Sequence, residues 1–179
     1  QSQWGIKGGA ILSDFNNFGK NRIFKIEETQ VLDLYFGPSI GVVYKNQFKE
    51  NWAIQGEARV AYQFGMGEFS NEPDFFFITL PMVVDRKIYK FVHAQAGLAL
   101  NVLLEQPQGT TLEFIDENLD VLALGGFEFE LSPKFQVGIR AGIGLRPLAK
   151  LVYTNAEGEI NRESVLRENQ LSLHGTYFF

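Results

Sequence analysis

The chain has 179 residues, 45% of them hydrophobic and 21% charged, with a formal net charge of -5 at pH 7. That is one domain's worth of chain, too apolar to be disordered and too acidic to hold nucleic acid by generic charge attraction. The absence of cysteine removes disulfides, thiolate metal sites and a cysteine nucleophile.

The chain opens on Gln1, as a cleaved export product would, and it has no run of about 18 apolar residues that would form a transmembrane helix. Its dominant period is two. The segments Trp52 to Tyr62, Phe135 to Leu145 and Gln170 to Phe179 alternate polar with apolar residues. Read along the chain, this rhythm predicts strands at 3–13, 31–45, 52–64, 75–85, 91–104, 119–131, 135–146 and 170–179. Their connections alternate in length. Asn46–Asn51, Arg86–Lys90 and Ser132–Lys134 are tight, whereas Asp14–Gln30, Gly65–Asp74, Glu105–Asn118 and Pro147–Asn169 are long. Long loops at one end and tight turns at the other fit an all-β, eight-stranded, antiparallel, up-and-down transmembrane barrel, with residues 1–179 as a single domain. Within the fourth long loop, Leu151–Thr154 and Ile160–Arg162 flank Asn155–Gly158 and predict a hairpin that extends the barrel.

One strand face is apolar throughout, and the other carries the charges. The charged face holds Lys7, Glu57, Arg59, Glu128, Glu130, Arg140, Arg146 and His174, and many of its other positions are glycine. The same alternation suits a soluble lipocalin-like carrier with an apolar interior. Volume decides between the two. Eight strands enclose a bore just wide enough for side chains, so the large apolar groups belong outside in lipid and the glycines and paired charges inside. The lumen charges are expected to form a plug of salt bridges, not an open pore. Trp4, Tyr44, Trp52, Phe129, Phe135, Tyr177 and Phe179 fall near the tight-turn ends and would form one interfacial girdle.

Three segments resemble a known family: the opening Trp4-Gly5-Ile6-Lys7-Gly8-Gly9-Ala10, the run Phe77-Ile78-Thr79-Leu80-Pro81-Met82-Val83-Val84, and the terminal aromatic Phe179. They are similar to the small outer-membrane β-barrels of Bacteroidetes, in the PorT-like family, and more loosely to the OmpA/OmpX-type eight-stranded barrels. The resemblance implies the outer membrane of a Gram-negative cell, with long loops extracellular and termini periplasmic. It implies no single activity. Taken with the charge split, the sequence leads to the expectation of a non-enzymatic structural or surface protein, or an accessory subunit of an outer-membrane complex, whose partners are membrane lipid, lipopolysaccharide and another outer-membrane protein complex.

Catalytic signals are sparse. Ser172 and His174 share the lumen face, and a lipid A-modifying esterase would use a serine and a histidine, but its ester would lie on the other face. Two histidines and no thiols give no zinc site, and no cofactor is expected. Loop acids at Glu113, Asp116 and Glu117, or at Glu157, Glu159 and Glu163, are candidates only for a weak surface cation site.

Overall fold

In the computed structural model, the described residues are 1–17, 34–65, 74–104, 112–114, 119–146, 149–154 and 160–179. They form ten strands: β1 (Ser2–Asn17), β2 (Tyr35–Lys49), β3 (Trp52–Gly65), β4 (Phe75–Tyr89), β5 (Val92–Leu103), β6 (Leu112–Phe114), β7 (Leu119–Ser132), β8 (Phe135–Gly144), β9 (Ala149–Thr154) and β10 (Ile160–Phe178). Eight of these pair in the order β1-β2-β3-β4-β5-β7-β8-β10, and β10 pairs back onto β1, so the sheet closes on itself. The eight predicted strands are these eight.

Burial alternates along every wall strand, as in β3, where Ala53, Gln55, Glu57, Arg59, Ala61 and Gln63 are buried and their neighbours face out. The buried set is rich in charge and the exposed set in Leu, Ile, Val, Phe and Trp, the reverse of a soluble protein. The barrel's apolar face therefore points outward, as in a lipid-embedded barrel. Within the wall, β2 approaches β3 closely enough to dictate glycine. A Cβ added at Gly37 on β2 would stand 1.6 Å from the Tyr62 carbonyl oxygen of β3.

Several strands run further than the alternation suggested, while β5 and β8 stop slightly short. At the tight end the turns shrink to 50–51, 90–91 and 133–134, and each hairpin carries a register shift beside its turn. Polar residues such as Asn46, Gln47 and Lys49 look like loop but continue the ladder. The last strand begins at Ile160 instead of residue 170. Its first turns of ladder pair with β9, from Thr154↔Ile160 to Ala149↔Leu166, which is the predicted hairpin. The segment is full of polar side chains, so its alternation fades although the backbone pairing persists. β6, inside a predicted loop, adds a third strand against β9.

The lumen as candidate functional site

The bore is filled in layers. At its centre Lys7 Nζ of β1 donates to Glu57 Oε1 of β3 at 2.9 Å and to Glu128 Oε1 of β7 at 2.8 Å. Arg140 Nη2 of β8 donates to the same Glu57 oxygen at 3.0 Å and to Gln95 Oε1 at 2.6 Å. Arg59 Nε lies 3.2 Å from Glu57 Oε2, and His174 Nε2 lies 3.1 Å from Glu128 Oε1. Strands from all round the barrel thus meet in one cluster. Gly138 makes room for it, because a Cβ there would stand 2.5 Å from His174 Nε2 and 2.7 Å from Glu128 Cγ.

A second polar cluster lies at the tight-turn mouth. Asp85 accepts from Lys45 at 3.2 Å and from Gln95 at 3.1 Å, and its other oxygen is 2.7 Å from His93 Nδ1. Lys87 donates to Glu130 at 3.1 Å. Lys45, Asp85, Lys87, His93 and Glu130 line a cavity of about 320 Å³ open to the tight-turn side. Toward the long-loop end, Glu168 accepts from Ser13 at 2.9 Å and Asn101 at 3.0 Å. Above it Tyr35, Phe75, Phe77 and Leu103 form a buried apolar cluster.

Of the eight expected lumen residues, Lys7, Glu57, Arg59, Glu128, Arg140 and His174 come together. Glu130 sits apart, half-exposed at the mouth, where the wall opens. Arg146 is not in the lumen at all. It is exposed and lies beyond Gly144, where β8 ends and alternation no longer assigns a face. The expectation of a polar, side-chain-filled lumen misses this apolar layer. Phe75 and Phe77 share the parity of Thr79 and Asp85, and counting back from Asp85 would have placed them inside. Ser172 donates to the Arg140 carbonyl oxygen at 3.3 Å, and no hydrogen bond to His174 is found among the described residues. No cluster of three metal-ligating side chains occurs among the described residues, and the loop acids named above fall outside the described side chains.

The outer wall carries aromatic rings at the tight-turn end. Trp4 packs on Tyr44 across the β1–β2 ladder, with ring centroids 4.8 Å apart. Phe135 opposes Tyr177, and Phe129 opposes Val137. Trp52 lies beneath the Arg86 guanidinium, and the Phe179 N–H donates to the Trp4 carbonyl oxygen at 3.0 Å. Phe48, Tyr89 and Phe91 are exposed at the same end. Alternation alone missed them, because Phe48 and Tyr89 lie beyond the predicted strand ends and Phe91, first in its predicted strand, has the parity of the inward His93.

The family model for the outer membrane protein beta-barrel domain matches residues 1–154. The chain belongs to this family. Its place is the outer membrane of a Gram-negative bacterium, with the apolar face against lipid, and the lipocalin-like alternative has no support. No curated protein matches the sequence. Among solved structures, this outer-membrane barrel is similar to Neisserial surface protein A at 10% identity, covering 98% of this chain and 97% of that one with a TM-score of 0.63. It is similar to Ail, the attachment invasion locus protein of Yersinia pestis, at 16% identity, covering 100% and 99% with a TM-score of 0.53. It is likewise similar to OprG from Pseudomonas aeruginosa at 11% identity, covering 99% and 95% with a TM-score of 0.53. At such identities the likeness is one of fold.

Proposed function

We propose that this outer-membrane barrel is a closed, non-enzymatic anchor that presents its long-loop end at the cell surface, with residues 1–179 forming one domain. The observation that carries this reading is the central cluster: Lys7 bridges two glutamates from opposite sides of the bore, with no exposure of the side chains. A bore crossed by such a bridge serves as a support and not as a channel. The charge network is a structural plug in this reading, and the girdle from Trp4 to Phe179 holds the tight-turn end at headgroup level. That end faces the periplasm and the long loops face outward, as the loop asymmetry favours.

Of the surface-facing loops, the second (Glu68, Glu72 and Asp74) and the third (Glu105, Glu113, Asp116 and Glu117) carry acids and no bases. Contact of these two loops with lipopolysaccharide phosphates therefore runs through divalent cations. A second reading, an accessory subunit of an outer-membrane complex, is favoured by the β6–β9–β10 extension. The outer edge of β6 has no strand partner among the described residues, and such edges recruit extended segments. The PorT-like resemblance points the same way.

Planar-bilayer recording tests the closed anchor. Purified protein is expected to give no discrete conductance steps at any voltage. Reproducible single-channel currents would contradict it.

A further inference from the structure

On the outer wall of β4, the side chains of Phe76, Ile78, Leu80, Met82 and Val84 form an apolar column, and the next outward group is Arg86. From Phe76 to Arg86 is ten residues. At about 3.3 Å per residue and a tilt of about 45°, that climb is roughly 23 Å, close to the height of the apolar band of an outer-membrane barrel. Arg86 thus stands where lipid tails give way to headgroups. Its guanidinium lies 4.9 Å from the centroid of Trp52, its cross-strand partner. No carboxylate among the described residues pairs with it, whereas its neighbour Lys87 is tied to Glu130 at the mouth. Exposed Ile88 follows it along β4, and exposed Lys90 lies in the adjoining turn.

Stacking on an indole fixes the guanidinium plane and leaves its N–H fork free, and that fork matches phosphate oxygens. The next outward-facing register pair toward the middle of the apolar band, Ile54↔Val84, is exposed and apolar, a fitting bed for an acyl chain. We propose that Arg86, held by Trp52, binds the phosphate of an anionic phospholipid in the inner leaflet, whose acyl chain lies along Ile54 and Val84. This rests on the orientation proposed above, which makes this end periplasmic.

The test uses the full chain in phosphatidylcholine vesicles with and without a minor fraction of phosphatidylglycerol, read by native mass spectrometry of retained lipid. The wild type is expected to retain phosphatidylglycerol. Arg86→Gln should lower retention about fivefold, the effect of one cation beside an anionic surface. Arg86→Lys should recover part of it, and Trp52→Leu, which keeps the charge but removes its platform, should also lower it. Lys134→Gln, in a different turn, should leave it unchanged. Equal retention by wild type and Arg86→Gln, or an equal loss with Lys134→Gln, would overturn the site. Orientation is read separately on this cysteine-free chain. Lys90→Cys should react with an impermeant maleimide only after the outer membrane is permeabilised. Reaction in intact cells would overturn the orientation, and with it the inner-leaflet assignment, whatever the vesicles show.

Discussion

Lys7 and Lys87 make the same bond in two different places. Lys7 donates to glutamates at 2.9 and 2.8 Å, and Lys87 donates to one at 3.1 Å. The side chains of Lys7, Glu57 and Glu128 have no exposure, whereas Lys87 and Glu130 keep 35% and 29% of theirs. At the mouth, water solvates either partner when the other is lost, so the pair adds little. In the bore, removing one partner strands charge where it cannot be hydrated. Identical chemistry therefore does two jobs. The central cluster locks strands from across the barrel, and the rim pair decorates an opening.

The largest effect is expected from Lys7→Met, which leaves Glu57 and Glu128 without their shared ammonium. Loss of one partner from a buried ion pair costs about 3–5 kcal/mol. The variant should lose its heat-resistant gel mobility at a clearly lower temperature than the wild type. A smaller loss is expected from Gly138→Ala, which keeps every charge but crowds the His174–Glu128 contact. Such overpacking costs about 1–3 kcal/mol, read as a lower urea midpoint in vesicles. If Gly138→Ala matched Lys7→Met, space and not charge would dominate the cluster. The smallest effect is expected from Lys87→Gln, under about 1 kcal/mol and shrinking further as salt is raised. A large loss that persists in high salt would erase the distinction between centre and rim.

Much of the fold was legible because lipid and lumen impose opposite demands on alternate residues. Wherever a charge falls on one parity, as at Glu57, Arg59, Glu128 and Arg140, the inward face is fixed for the whole strand. Legibility fails where both faces are apolar. Phe75, Phe76, Phe77 and Ile78 show no contrast, yet the first and third are buried in the bore and the others face out. It fails again where alternation runs past a strand end, as at Arg146, or where polar residues dilute the pattern, as in the sequence at the start of β10. The site was readable as a set of inward charges. Which of them touch, and that Lys45, Asp85 and His93 form a separate cluster at the mouth, depends on register between strands far apart in sequence.

The central claim is that charges from opposite walls are coupled into one buried lock. A double-mutant cycle on Lys7 and Glu128, by urea unfolding of Lys7→Met, Glu128→Gln and the double variant in the same vesicles, tests it most directly. The expected coupling is about 2–3 kcal/mol, at the upper end for residues in direct contact. Additive losses, with coupling near zero, would contradict the account.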